Sequence, residues 1–142
     1  AGMSQNLGSA WRLSRAAVRR MTARGEGSIV LISSIAGTAA LGTTITYGAA
    51  KAGMNHLAKE LARMVGPKGV RVNAIAPGNI ETPMTAPMAA LPTVLAEQVA
   101  HIPMGRFGTV EEIVPAALFL SSAQASYVTG AVLAVDGGYL TY

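Results

Sequence analysis

Tyr47 and Lys51 stand four residues apart, a spacing that lays two side chains along one face of a helix. A tyrosine in water titrates at about 10, too high for easy proton exchange at neutral pH. A neighbouring ammonium stabilises the phenolate and draws the group toward acid–base work. By itself, a Tyr-x-x-x-Lys pair more often means a partly buried tyrosine beside a snorkelling lysine. Ser34 lies thirteen residues before Tyr47, directly after an apolar run. The carboxyl end of a buried strand is where open α/β sheets place ligands, so its hydroxyl could hydrogen-bond a substrate carbonyl, or simply cap a loop. A second apolar run ends in Pro77-Gly78-Asn79-Ile80-Glu81-Thr82-Pro83-Met84. A glycine there lets backbone approach a ligand and Thr82 offers a hydroxyl, unless the segment is only a tight turn.

These residues need elements to hold them. From Asn6 to about Arg24, Leu7, Ala10, Trp11, Ser14, Val18 and Met21 form a helical stripe with arginines opposite. Arg24-Gly25-Glu26-Gly27 ends that helix, and Ser28–Ser33 reads as a strand without polar alternation, buried on both faces as in a parallel sheet. A loop of small residues, Ser34 to Thr46, leads into a helix from about Tyr47 to Val65, stopped by Gly66-Pro67-Lys68-Gly69. Val70–Ala76 is the next strand. Glu81 to Pro103, with four prolines and scattered methionines, reads as a mobile flap with short helical pieces. A helix starts near Thr109 with Glu111 and Glu112 in its first turn, where carboxylates are favoured, and Pro115 must sit early in it or kink it. Val132–Asp136 is a third strand. Helices alternating with strands predict an α/β fold with a parallel sheet. The count is odd, because the chain opens on a helix and leaves an apolar edge at Ser28–Ser33, a liability. The pattern is that of the second half of a doubly wound sheet.

Composition narrows the functional classes. The 142 residues make one domain, 51% hydrophobic and only 13% charged, the reverse of a disordered chain. No apolar run reaches the roughly 18 residues of a membrane span. Without cysteine, thiolate nucleophiles and cysteine-bound zinc are excluded, and two distant histidines, His56 and His101, make a metal site unexpected. The net charge of +4 comes largely from Arg12, Arg15, Arg19, Arg20 and Arg24. Their helical spacing and lack of interleaved aromatics predict a solvated helix face, and no nucleic-acid partner. No signal peptide is evident, which favours the cytoplasm.

Taken together, the motifs resemble one family. Ser34, then Tyr47-Gly48-Ala49-Ala50-Lys51-Ala52-Gly53, is similar to the active-site signature of the short-chain dehydrogenases/reductases. So are Arg71-Val72-Asn73-Ala74-Ile75-Ala76-Pro77-Gly78 with Ile80 and Thr82, and Val128-Thr129-Gly130 with Val135-Asp136-Gly137-Gly138. Asn6, twenty-eight residues before Ser34, falls where that family keeps its fourth catalytic residue. The resemblance covers essentially the whole chain and is closest to members of the 3-oxoacyl-(acyl-carrier-protein) reductase kind. It implies a Rossmann-like sheet and an NAD- or NADP-dependent oxidoreductase that interconverts a carbonyl and a secondary alcohol. Tyr47 would be general acid or base, and Lys51 would tune it and hold the nicotinamide ribose. Ser34 would bind the substrate oxygen, and Asn6 would support a proton-relay water. Pro77, Gly78, Ile80 and Thr82 would contact the nicotinamide and its carboxamide, under a flap lined by Met84, Met88, Leu91 and Leu95. A homotetramer packed through the first two helices is the family's habit.

The departure from the family's pattern is at the start. Its strand, glycine-rich turn and helix for the dinucleotide have no counterpart, and Gly25-Glu26-Gly27 precedes a strand instead of following one. The expectation is therefore the catalytic half of such an enzyme, with the residues that choose NAD or NADP absent. The competing expectation is a non-catalytic half-protein acting as an assembly or binding module, which the small residues Gly48, Ala49, Ala50, Ala52 and Gly53 would serve by close helix packing. Neither expectation identifies the substrate: acyl thioesters, steroids, sugars and small ketones fit equally.

Overall fold

A computed structural model describes residues 2–42 and 45–141. Thr43 and Thr44, in the expected small-residue loop, lie outside them. A single wide π turn, Ser4–Gly8, runs into helix α1 (Ser9–Arg24), followed by β1 (Gly27–Ile32), α2 (Ile45–Val65) and β2 (Val70–Pro77). The flap carries two short helices, α3 (Ala86–Ala89) and α4 (Pro92–Ala100), before α5 (Val110–Ser121) and β3 (Val132–Val135). The strands form one parallel sheet in the order β1-β2-β3.

Side chains alternate across a strand, and this sorts the layers. Ile29 and Leu31 of β1 and Val70, Val72 and Ala74 of β2 pack against Met54, Ala58, Leu61, Ala62 and Val65 of α2, with Ala10, Ala17, Val18 and Met21 of α1 beside them. The five arginines of α1 are exposed on the opposite side. On the other sheet face Ser28 Oγ donates to the Leu120 carbonyl at the end of α5 (2.9 Å), and Arg71 donates to the carbonyls of Leu120 (2.7 Å) and Ser122 (2.9 Å). Arg71 thus satisfies carbonyls that a helix end leaves without partners.

Breakers act as their chemistry requires. Gly25 closes α1 with φ of 77°, and Gly69 stands at 74° before β2, conformations only glycine adopts without strain. Thr109 and Glu112 cap α5 reciprocally, and Pro115 lies inside that helix without ending it.

Burial differs from expectation at the outer strands. β2 is buried on both faces along most of its length. Ile32 at the end of β1 is 48% exposed, and Leu133 and Ala134 of β3 are exposed. Among the described residues each outer strand pairs on one side only. The small-residue stripe of α2 is used within the chain: a Cβ on Gly53 would come 2.8 Å from Leu7 Cδ2.

Candidate active site

All three strands run the same way, so their carboxyl ends share one rim. β1 delivers Ser33 and Ser34 there, β2 delivers Pro77 and Gly78, and the first turns of α2 bring Tyr47 and Lys51 across the top of β1.

Lys51 is buried, with 8% of its surface exposed. Its Nζ donates to the Ile32 carbonyl (2.7 Å) and stands 5.4 Å from the centroid of the Tyr47 ring, within cation–π range. Burial holds the ammonium below its ordinary 10.5, since desolvation penalises the charged form. Tyr47 lies in the first turn of α2. Ser34 is extended (φ −169°, ψ 157°) and caps the 3-10 turn Ile35–Gly37, accepting from Ala36 N–H (3.2 Å). Accepting costs the hydroxyl a lone pair and leaves its proton free to donate.

Three unpredicted residues lock this arrangement. Buried Ser33 donates through Oγ to the Lys51 carbonyl (3.1 Å). Asn55 donates through Nδ2 to the Gly37 carbonyl (3.2 Å) and reaches Thr38 Oγ1 (3.4 Å). Gly37 lies so close to α2 that a Cβ would stand 2.6 Å from the Lys51 carbonyl carbon. A signal for Asn55 was present, because 47, 51 and 55 recur every four residues along one helix face.

Asn6 sits in the π turn packed against α2, but its carboxamide donates to the Gly2 carbonyl (3.0 Å). No hydrogen bond joins it to Lys51 among the described residues. The structure therefore sets Lys51 beside Tyr47, ties Lys51 to the strand end that leads into Ser34, and leaves the Asn6 side chain turned to its own helix.

The start of the loop after β2 is pinned to Gly108. Glu81 N–H donates to Gly108 O (2.8 Å) and Gly108 N–H to Asn79 O (2.9 Å). Gly78 has a packing reason to be glycine, since a Cβ would come 2.7 Å from Asp136 Cα. Thr82 lines a mostly apolar cavity of about 460 Å³ with Thr85, Ala86, Leu95, Val99 and Phe107. Of the four expected flap residues, Leu95 lines it, whereas Met84 and Leu91 are exposed. The donors at the strand ends fit a nicotinamide riboside in kind, since Lys51 keeps two ammonium protons for hydroxyl acceptors and Ser34 keeps one for a carbonyl, while the cavity that Thr82 lines includes neither residue.

Comparison with known proteins bears on the family. A family profile described as enoyl-(acyl carrier protein) reductase matches residues 1–140. The chain is 47% identical over 133 residues to the 3-oxoacyl-[acyl-carrier-protein] reductase FabG of Chlamydia muridarum, covering 94% of this chain and 53% of that one. It is 44% identical over 142 residues to a galactitol 2-dehydrogenase (L-tagatose-forming) of Cereibacter sphaeroides, covering 99% and 56%. A crystal structure from Beutenbergia cavernae, provisionally assigned as an NAD(P)-dependent gluconate 5-dehydrogenase and holding NADP at low occupancy, superposes with a TM-score of 0.96 at 43% identity, covering 99% of this chain and 56% of that one. The chain spans about half the length of the curated relatives it matches.

Proposed function

The chain belongs to the short-chain dehydrogenase/reductase family, and on that premise we propose that it carries the catalytic half of an oxidoreductase interconverting a carbonyl and a secondary alcohol. The reading places residues 1–142 as the C-terminal part of one doubly wound domain, working with NAD or NADP in the cytoplasm. The observation that carries it is the Lys51 ammonium, buried and 5.4 Å from the Tyr47 ring, at a strand end beside a serine with a free proton.

The nicotinamide, when bound, supplies or takes up the hydride. The chain's own residues handle the oxygen and the proton. Ser34 donates to the carbonyl oxygen and orients it. Tyr47 gives its proton to that oxygen as charge develops, and the nearby ammonium stabilises the phenolate left behind. In the reverse direction the phenolate takes the alcohol's proton. Lys51, anchored by Ile32, turns its remaining protons to the ribose hydroxyls. Pro77, Gly78, Ile80 and Thr82 form the wall for the nicotinamide and its carboxamide. Asn6 supports, in this reading, a proton-relay water near Lys51.

The apolar flap cavity favours a substrate whose carbonyl sits beside hydrocarbon. Assembly is proposed through the first two helices, where Met3, Leu7, Trp11, Gly53 and Leu57 line an apolar groove of about 650 Å³ and Trp11 is 43% exposed. The test uses the protein as its source organism makes it. An intact mass near 14.5 kDa would contradict the half-domain reading, and a larger mass would support it. With that protein, NAD(P)H consumption is followed against a panel of ketones. Tyr47→Phe lowers turnover by about 10²–10⁴-fold, the contribution of one general acid, while the melting temperature holds. A folded Tyr47→Phe variant with undiminished turnover overturns the proposal.

A further inference from the structure

We infer that the C-terminal turn Asp136-Gly137-Gly138 is the seat on which the flap hinges, and that Asp136 is the positioning residue that keeps this seat in shape. The hinge stands on geometry alone; its effect on turnover rests on the proposed reaction.

This turn carries none of the roles assigned above, yet it touches the chain where the flap rejoins the body. Met104 N–H donates to the Gly137 carbonyl (3.1 Å). A Cβ on Gly137 would stand 2.8 Å from Ile102 Cγ2, and one on Gly138 would stand 2.9 Å from Pro103 Cγ. Both glycines are left-handed, with φ of 64° and 90°, so a side chain there would be strained as well as crowded. The Asp136 carboxylate fixes that backbone. One oxygen accepts from Gly138 N–H (2.9 Å) and the other from Leu140 N–H (2.9 Å), bonds strengthened by the charge. The turn has a firm footing on β2, since Gly78 N–H donates to the Val135 carbonyl (3.0 Å) and a Cβ on Gly78 would meet Asp136 Cα. The two ends of the flap come together here. Asn79 and Ile80 from one end and Met104 from the other line a single cavity of about 50 Å³ with Asp136 and Gly137. Ile102 is buried, but α3 and α4 contain no buried residue. The seat is therefore the last firm contact before a segment of low local stability, which is where a hinge works.

Hydrogen exchange read by mass spectrometry tests this on the whole protein, without cofactor or substrate. Helices of four and nine residues do not persist alone in water, so a flap freed from its seat exchanges its amides. Asp136→Ala is expected to speed exchange across residues 84–101 by about tenfold or more, the scale of a lost charged hydrogen bond, while β2 keeps its protection. Asp136→Asn, which retains one acceptor oxygen, falls between. Gly138→Ala keeps the carboxylate but pushes on Pro103, and gives the same selective loss should Asp136→Ala fail to fold. Unchanged flap exchange, or an acceleration shared equally by β2, overturns the inference. In turnover, Asp136→Ala raises KM for the ketone by about tenfold and moves kcat by less than about threefold, because a flap closed less often captures substrate less well. A KM that stays put beside accelerated exchange overturns the part played in turnover. The exchange readout does not depend on Tyr47, so failure of the proposed reaction is recognised separately, by an undiminished Tyr47→Phe.

Discussion

Gly37→Ala should silence the site from outside it. The added Cβ would stand 2.6 Å from the Lys51 carbonyl carbon, 2.8 Å from Ala52 N and 2.9 Å from Lys51 O. All three are backbone atoms in the interior of α2 and have no side-chain freedom with which to yield. Carbon atoms pack comfortably at about 3.5–4.0 Å, so the loop must retreat by about 1 Å. It cannot retreat alone: Asn55 holds the Gly37 carbonyl and Ser33 holds the Lys51 carbonyl, and Ser34 lies between those ties. Overpacking of this kind costs about 1–3 kcal/mol of stability. Displacing a positioning group by about 1 Å costs about 10²-fold in rate. The assay is kcat/KM by NAD(P)H absorbance, per folded molecule, with circular dichroism melts alongside. Gly66→Ala, where an added Cβ meets nothing within 4 Å, is the control and should leave both readouts unchanged. A folded Gly37→Ala variant within about threefold of the parent kcat/KM would refute the claim that this contact sets Ser34 against Lys51.

Acid stability depends on Glu112. The Arg106 guanidinium (2.7 and 2.8 Å) and Thr109 N–H (2.9 Å) hold its carboxyl down from 4.5 to about 2. A depressed carboxyl stabilises the fold above its unfolded value and loses that contribution as pH falls through the folded one. Glu112→Gln should flatten melting temperature against pH between 4.5 and about 2, and parallel curves would count against it. Arg71→Met removes two charged hydrogen bonds to the end of α5 and should cost about 3 kcal/mol by urea titration with an unchanged slope; a loss below about 1 kcal/mol would mean water replaces the guanidinium. Trp11→Glu in the groove between the first two helices should reduce the assembly to smaller species by light scattering, and an unchanged mass would move the interface elsewhere.

The placement of the rim residues was legible because it is written in local spacing: Tyr47 and Lys51 share a helix face, and Ser34 follows an uninterrupted apolar strand. Strand limits held within a residue or two for the same reason, glycine and proline punctuation being local. What stayed hidden was long-range. Asn73 is fully buried, bridging the Val128 carbonyl (2.9 Å) and Ala131 N–H (3.0 Å), and no local pattern reveals partners 55 and 58 residues away. The locking roles of Ser33 and Gly37 depend on how closely a loop lies on a helix. Asn6 was placed on the correct element, but the direction of a carboxamide is not a property of spacing. The exposure of β3 depends on what lies beside it, which an apolar run does not record.

The Asn73 bridge also bears on the order in which the chain can acquire its structure. Gly130 N–H donates to Val72 O (2.7 Å), Thr129 Oγ1 accepts from Val72 N–H (3.0 Å), and Ala74 N–H donates to Ala131 O (2.8 Å). β2 therefore cannot complete its hydrogen bonding until residues 128–135 exist to receive it. During synthesis, at about 5–20 residues per second, a nascent chain that has already emitted β1, α2 and β2 must wait several seconds with a polar asparagine facing an unfilled interior. Such an interval is when chaperones engage a polypeptide. Stalling translation between Pro77 and Val128 should therefore yield a protease-sensitive intermediate that becomes resistant only once the last strand clears the ribosome.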